Sequence, residues 1–391
     1  MKKNSPLKII FITNNYTPYS GGVVSSIDSF SQELRASGHE VYIITFDFDE
    51  QVSANDAAHV FRIKTILKFQ YLQKHMAIPW MASKAMTDII RRINPDCIHL
   101  HHPFLLGKSG LKIARAENIP VIFTYHTLYD QYTHYLPLMG AMAWVKEIVR
   151  NQSIEFCNKV DHVIAPSETI KQYLKNHNVT KPISVVPSGI LPIYINTTMP
   201  SKNLSFAAAT HTTQPTIKLL TVCRFNTEKN IPFLLDVAHD IAQKFSLSYT
   251  LIGYGDELDM LQQYAYKKCG LTKEQVHFII KPPKAIIAQA YQQADLFLYA
   301  SQSETQGIVI AEAMAAGTPV IALEGPGIQD IIINGHNGYL IKNRQEMAHA
   351  IPSTLADPIQ YQTLCKGAFA TGQRYFPQEC AKRLHAIYTS V

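Results

Sequence analysis

The chain has 391 residues, 47% hydrophobic and 17% charged, with a formal net charge of +6. That length exceeds one ordinary hydrophobic core, so two domains are expected, and the composition is that of a globular soluble protein. The modest positive charge permits anionic partners such as nucleotides or acidic lipids without selecting one, and no nucleic-acid partner is expected. No run of about 18 apolar residues is present, which excludes a transmembrane helix. The N-terminal residues lack the apolar region of a signal peptide. The six cysteines are scattered without a C-x-x-C pair, which suits a reducing cytosol and excludes a zinc ribbon.

In chain order, residues 8–13 read as a short apolar strand. Gly21-Gly22 then opens a helical pattern that runs to Ala36 and is closed by Gly38; paired glycines at such a turn tolerate φ > 0 and let the backbone approach a ligand. Residues 41–46 are the next strand, and Asp47-Phe48-Asp49 behind it reads as a solvated loop rather than a metal-binding D-x-D. Residues 62–92 carry Arg62, Lys64, Lys68, Lys74, Lys84, Arg91 and Arg92 against one acid, Asp88. Interleaved with them are Leu67, Phe69, Tyr71, Ile78 and Trp80. A basic, aromatic-bearing amphipathic stretch of this kind either lies in an anionic membrane interface or forms a helix pair with a solvated basic face, interrupted at Pro79.

Residues 97–100, 121–125 and 163–165 are further strand candidates with helical stretches between them, the βαβ rhythm of a parallel sheet. His99, His101 and His102 suggest a metal site. Adjacent strand residues point to opposite faces, however, so His101 and His102 do not converge, and no metal is expected. His126 follows the strand 121–125, where a neutral imidazole can donate to, or accept from, a hydroxyl. The run Val185-Val186-Pro187-Ser188-Gly189-Ile190 closes the first half. Residues 193–216, rich in Ser, Thr, Asn and Ala, read as a linker or insertion.

The βα rhythm restarts at residues 217–223 and continues at 249–252, 276–280, 296–299 and 320–323. Three turns in this half carry charge or glycine. Arg224-Phe225-Asn226-Thr227-Glu228-Lys229 follows the first strand. Gly253-Tyr254-Gly255 follows the second and does not continue as G-x-G-x-x-G, which weakens a dehydrogenase reading. The third, Ser303-Glu304-Thr305-Gln306-Gly307-Ile308, leads into a helix over 308–316 that Gly317 and Pro319 stop. A strand, a polar loop and a helix opening present free backbone N–H groups and a helix dipole to an anion. Glu304 lies in that loop and Glu312 inside the helix, which rises only ~8 Å from Gly307 to Glu312. Acceptors on both sides of an anion site suit a ribose, a diphosphate and a hexose in a row. Residues 378–388 end the chain as an amphipathic helix.

The segment Glu304 to Val320, with its E-x7-E spacing and E-A-M-A-A-G-T-P-V context, resembles the retaining glycosyltransferases of family 4. That resemblance implies an α/β chain with the GT-B fold, two Rossmann-like βαβ domains facing each other across a cleft. Residues 1–192 would be the acceptor-binding domain and 217–374 the nucleotide-sugar domain, with 375–391 crossing back to the first. It further implies that Arg224 and Lys229 hold the donor diphosphate in place of a metal ion, where two fixed cations stabilise the charge that grows on the leaving group. Glu304 would orient the hexose and Glu312 the ribose. Gly253 and Gly255 would line the nucleotide, and Thr305, Gln306, Gly307 and Ile308 would touch phosphate or sugar. Gly21, Gly22 and the catalytic His126 would complete the site from the first domain.

Glu304-Thr305-Gln306-Gly307, the Tyr125-His126-Thr127-Leu128-Tyr129 run and His101-His102-Pro103-Phe104 with Gly107 are most similar to bacterial diacylglycerol glucosyltransferases. This implies a hexosyltransferase that moves glucose from UDP-glucose, with no obligatory cofactor, onto diacylglycerol or a related lipid. The enzyme would sit peripherally on the inner face of the cell membrane. Tyr129, Tyr132, Lys64, Lys68, Lys74 and Trp80 would face the acceptor or an anionic membrane surface. A lipopolysaccharide, polysaccharide or phosphatidylinositol acceptor is the alternative within the class. A catalytically silent nucleotide-sugar-binding protein is the alternative outside it.

Overall fold

The computed structural model describes residues 5–17, 21–47, 58–71, 74–79, 82–131, 142–196, 198–199, 216–301 and 303–391, with backbone only for 65–71, 74–79 and 82. The chain divides into two compact units. Unit 1 comprises Met1–Gly189 with Pro377–Val391, and unit 2 comprises Ile190–Phe376. Most of the expected linker, residues 200–215, lies outside the described residues.

Unit 1 is built on β1 (Lys8–Ile12), α1 (Gly22–Ala36), β2 (Glu40–Phe46), β3 (Val60–Ile63), β4 (Thr65–Tyr71), β5 (Lys74–Pro79), α2 (Ala82–Ile93), β6 (Cys97–Leu100), α3 (Leu106–Ala116), β7 (Val121–Thr124), α4 (Ala143–Cys157), β8 (His162–Ala165), α5 (Glu168–Asn176) and β9 (Ile183–Val185). Seven strands form a parallel sheet in the order β3-β2-β1-β6-β7-β8-β9. Helices cover both faces of such a sheet, so its central strands are apolar along their whole length. Ile9, Ile10, Phe11 and Ile12 of β1 are accordingly all fully buried.

The segment 62–92 is not a pair of helices. β4 and β5 form an antiparallel hairpin of their own, with Leu67 opposite Ile78, Lys68 opposite Ala77 and Phe69 opposite Met76, and only α2 is helical. Leu67, Phe69 and Tyr71 recur at every second residue, which is the strand period rather than the helical one. The last helix of the chain, Pro377–Tyr388, belongs to unit 1. Its Leu384, Ile387 and Tyr388 pack with Val24, Ile27, Phe30 and Leu34 of α1 and with Ile9 and Phe11 of β1. Fully burying a side chain such as Leu384 contributes about 1.5–3 kcal/mol.

Unit 2 runs β10 (Ile217–Arg224), α6 (Ile231–Ala242), β11 (Leu247–Tyr254), α7 (Leu258–Gln263), β12 (Val276–Ile280), α8 (Lys284–Gln293), β13 (Leu296–Tyr299), α9 (Ile308–Ala315), β14 (Val320–Leu323), β15 (Gly338–Ile341), α10 (Arg344–Ala356) and α11 (Pro358–Gly372); α12 (Pro377–Tyr388) follows in unit 1. Its six strands are parallel, in the order β12-β11-β10-β13-β14-β15. Each sheet reverses its strand order once, between β1 and β6 in unit 1 and between β10 and β13 in unit 2. Ligands of doubly wound sheets bind outside the carboxyl ends of the strands at such a reversal. The turns that follow β1, β6, β10 and β13 are those holding Gly21-Gly22, His101-His102, Arg224 to Lys229 and Glu304 to Gly307.

Candidate active site

In unit 2 the turn after β10 is short. Residues Thr227–Lys229 form one 3-10 turn, and Asn230 takes the left-handed conformation (φ 51°) that starts α6. The Ser301 hydroxyl, just past β13, donates to the Glu228 carbonyl at 3.1 Å and ties this turn to the neighbouring strand end. Lys229 thereby reaches Glu304, and its ammonium pairs with Oε1, the same oxygen that accepts a 2.7 Å bond from the Tyr299 hydroxyl. The Arg224 guanidinium lies 4.0 Å from the buried Glu228 carboxylate.

Burial alone raises the Glu304 pKa. The Lys229 charge and hydrogen bonds from Lys229, Tyr299 and Ser301 outweigh it, and the net shift is downward, so Glu304 is ionised. The cation expected to meet a diphosphate and the carboxylate expected to meet a hexose are therefore paired with each other.

Gly307 caps α9 in the left-handed conformation (φ 71°), which turns the chain from the Glu304 loop into the helix. Gln306 is buried and Thr305 half-buried, while Ile308 opens the helix. Glu312, one turn further in, is buried and accepts a 2.8 Å bond from the Tyr291 hydroxyl. Burial pushes its pKa up to about 7, and the Tyr291 bond and the Lys284 charge pull the other way without overcoming it. The two carboxylates thus differ: Glu304 is a fixed anion and Glu312 is poised to take up a proton near neutral pH.

Gly253 and Gly255 sit at the end of β11, where Cys223 pairs with Gly253 and Arg224 with Tyr254. A Cβ at Gly253 would stand 1.8 Å from the Cys223 carbonyl oxygen, and one at Gly255 would stand 2.3 Å from that of Phe225. The backbone of the Arg224 turn already requires both glycines, before any ligand is considered.

In unit 1 the turn at Gly21-Gly22 differs from the expectation that positive φ calls for glycine. Gly21 is extended (φ 163°), a conformation open to any residue, and Gly22 is the first residue of α1. A methyl group at Gly22 would meet no atom within 4 Å, so what its absence provides there is clearance.

His126, after β7, lies against His101, after β6. The rings stack with centroids 5.1 Å apart, and His101 Nδ1 and His126 Nε2 share a 2.9 Å hydrogen bond. His99 stacks with His101 as well (4.3 Å) and shares hydrogen bonds with the hydroxyls of Tyr388 in α12 and of Thr124. Burial drives the pKa of His126, His101 and His99 down, so this column of rings is neutral. The His102 Nδ1 accepts from the Asn14 N–H at 3.2 Å, which leaves the proton on Nε2. Among the described residues no group of three or more His, Cys, Asp or Glu is placed to hold a metal ion.

Of the residues expected at the acceptor or membrane side, Tyr129 packs edge-on against Tyr125 and Phe104 in the core of unit 1, and Lys64 is exposed. Lys68 lies on β4 and Lys74 on β5, where the backbone alone is described. Tyr132 and Trp80 lie outside the described residues. Sequence reasoning missed Tyr299, Ser301 and Tyr291, the partners of the two glutamates, because a strand-end tyrosine carries no local sign of a carboxylate neighbour. It also missed Gly327 (φ 71°), whose missing side chain lets the 304–305 backbone pack where a Cβ would stand 2.7 Å away. The Gly325-Pro326-Gly327 turn was the available signal.

Two parallel Rossmann-like sheets, each with a polar constellation at its strand reversal, are the architecture of the GT-B fold, and the chain's relatives make it a glycosyltransferase. Residues 20–192 match the model of Glycosyltransferase Family 4, and residues 206–370 that of Glycosyl transferases group 1. The chain is 32% identical over 389 residues to an alpha-monoglucosyldiacylglycerol synthase of Streptococcus pneumoniae, which covers 98% of this chain and 85% of that protein. It is 26% identical to the enzyme of the same name from Acholeplasma laidlawii, over 98% and 96% of the two chains. It therefore belongs to glycosyltransferase family 4. Among solved structures, sucrose-phosphate synthase from Thermosynechococcus elongatus superposes with a TM-score of 0.78 at 21% identity over 98% of each chain. Anabaena Alr3699/HepE in complex with UDP and glucose superposes with a TM-score of 0.75 at 19% identity, over 98% of this chain and 100% of that one.

Proposed function

We propose that this glycosyltransferase moves glucose from UDP-glucose onto diacylglycerol, with retention at the anomeric carbon. The observation that carries the reading is the Lys229–Glu304–Tyr299 cluster beside the start of α9, in a chain similar over nearly its whole length to two alpha-monoglucosyldiacylglycerol synthases. Arg224 and Lys229 would stabilise the charge that grows on the UDP leaving group as the glycosyl–phosphate bond breaks. Arg supplies a planar fork and Lys a point charge, so the two are not interchangeable. Glu304, ionised and fixed by Tyr299, would accept hydroxyls of the hexose; Glu312 would accept from the ribose, and Gly253 and Gly255 would line the nucleotide. Thr305, Gln306, Gly307 and Ile308 would meet phosphate or sugar at the helix opening. From unit 1, Gly21 and Gly22 would give clearance for the donor, and His126 would meet a hydroxyl of the transferred sugar. In a retaining reaction of this type the leaving-group oxygen takes the acceptor proton as the acceptor oxygen bonds to the same face of the anomeric carbon. The enzyme would act at the inner face of the cell membrane, where the acceptor resides.

The test is a panel of nucleotide sugars, each followed by thermal shift and by label recovered in the organic phase with diacylglycerol vesicles. UDP-glucose should raise the melting temperature and give a labelled lipid. Stabilisation by GDP-mannose alone, or label confined to soluble oligosaccharide acceptors, would overturn the donor or acceptor assignment respectively. Tight binding of a nucleotide sugar without hydrolysis or transfer would favour a silent binding protein.

A further inference from the structure

Among the described residues of unit 1, large apolar side chains are exposed at four positions: Leu105, Met142, Trp144 and Ile148. They fall in two places, the turn that opens α3 and the first turns of α4. These helices lie side by side. The Lys108 ammonium meets the Gln152 amide oxygen at 3.5 Å, and the Arg115 guanidinium donates at 2.6 Å to the carbonyl of Lys159, just past the end of α4. The sequence offset is the same at both contacts, so the helices run parallel and Leu105 falls level with the turn of α4 that holds Ile148. Trp144 and Ile148 are one helical turn apart and share a face. Both helices start from strand ends of a parallel sheet, so this apolar tip lies at the carboxyl edge of the sheet, the edge that carries His101 and His126.

Two further observations mark the tip as more than scattered surface. Leu105 holds φ 52° and ψ −112°, a conformation that glycine adopts and leucine rarely does, and Asn14 keeps it there. The Asn14 side chain accepts from the Leu106 N–H (3.2 Å) and donates to the Phe104 carbonyl (3.3 Å). Strain of this kind persists where the surrounding structure enforces it, and it concentrates at functional sites. The charge around the tip is also predominantly positive, although the exposed Glu147 lies within it. Arg115, Arg150 and Lys159 each pair with an acid, whereas the exposed Lys108, Lys112 and Lys146 have none within ion-pair distance among the described residues.

We propose that this tip, Leu105, Met142, Trp144 and Ile148 flanked by Lys108, Lys112 and Lys146, docks unit 1 on an anionic bilayer. The apolar side chains enter the headgroup layer and the lysines face lipid phosphates. A tryptophan among aliphatic side chains with lysines at the margin is the composition that settles at a membrane interface. Three lysines near an anionic leaflet strengthen binding roughly a hundredfold. The placement rests on the lipid-acceptor reading above: a diacylglycerol keeps its chains in the bilayer while its hydroxyl must reach the edge that holds His126. The β4–β5 hairpin and its neighbour Trp80 are the competing docking element.

The chain's two tryptophans, Trp80 and Trp144, make the test direct. In full-length Trp80→Phe, Trp144 is the sole reporter. Vesicles of phosphatidylglycerol and phosphatidylcholine should shift its emission to the blue, and brominated acyl chains should quench it; phosphatidylcholine alone should do neither. The triple variant Lys108→Glu, Lys112→Glu, Lys146→Glu should sediment with the anionic vesicles at least tenfold more weakly, yet keep its turnover on detergent-dispersed acceptor. Trp144 emission that ignores the vesicles, with Trp80 responding instead in Trp144→Phe, would overturn the proposal, as would unchanged sedimentation of the triple variant. Docking through Trp144 with no transfer to any lipid would support the surface and overturn the acceptor assignment alone.

Discussion

Replacing Lys229 with methionine separates the two roles the structure gives that side chain. The Lys229 and Glu304 side chains are only 11% and 16% exposed, so solvent screens their pair little. Removing one partner of a buried pair costs about 3–5 kcal/mol when the other charge stays unpaired. Here the Tyr299 bond remains and Glu304 can take up a proton, so about 3 kcal/mol is the expected loss at pH 7.5, or ~6–12 °C in melting temperature for a unit of this size.

The pH dependence has a definite sign. In the wild type the Glu304 pKa lies below its ordinary value of 4.5; that stabilisation is present above 4.5 and is lost as pH falls through the folded value. In Lys229→Met the Lys229 charge and its hydrogen bond are gone and only the Tyr299 and Ser301 bonds still oppose burial, so the pKa rises, the ionised carboxylate destabilises at pH 7.5 and the deficit shrinks as pH falls toward 5. Glu304→Gln added to Lys229→Met should recover most of the lost stability, because both charges are then gone. Turnover should not recover. Loss of a fixed cation at a developing anion is expected to lower kcat by about 10²–10³. Melting curves at pH 5 and 7.5 for the wild type and the two variants, with donor turnover at pH 7.5, check both parts. A single variant that melts like the wild type at both pH values and turns over within a few-fold would refute the reasoning.

Other substitutions probe the remaining contacts. Because the Glu312 pKa is raised to about 7, its ionised fraction falls about tenfold from pH 8 to pH 6, and the donor KM should rise by a similar factor while Glu312→Gln flattens the profile; a wild-type KM constant across that range would contradict the ribose role. Gly253→Ala puts a methyl group against the Cys223 carbonyl and should prevent unit 2 from folding rather than merely weaken donor binding; a soluble variant with a wild-type melting curve would contradict this. His101→Phe keeps a ring against His126 but removes its 2.9 Å hydrogen bond; it should change the imidazole nitrogen shifts of His126 by NMR and lower kcat several-fold, with His101→Asn restoring part of the loss. Tyr388→Phe removes the 2.6 Å bond to the buried His99 and should cost about 1–3 kcal/mol by denaturant titration.

The βαβ alternation is legible because parallel strands buried on both faces are near-continuous apolar runs, as in Cys97–Leu100 and Leu296–Tyr299. The helix after Glu304 is legible because Gly307 and Gly317 bracket it, and both have positive φ. The hairpin at 65–79 was open to misreading because it sits among dispersed lysines that suit an amphipathic helix equally well, and only the alternation at Leu67, Phe69 and Tyr71 separates the two. The glutamates, Arg224 and Lys229 can be nominated from spacing. That Lys229 and Tyr299 converge on one oxygen of Glu304 cannot, because it follows from parallel registry between β10 and β13. The apolar tip at Trp144 and Ile148 is hidden for a similar reason: periodicity marks a helix as amphipathic, and only the packed sheet shows which apolar side chains are left outside.

The most direct measurement is the anomeric configuration of the lipid product formed from UDP-glucose and diacylglycerol in phosphatidylglycerol-containing vesicles, read by proton NMR of the purified glycolipid. The proposed function predicts a glucosyl lipid with the α linkage of the donor preserved. A β-linked product would contradict retention, and label that stays in water-soluble products would contradict transfer to the lipid.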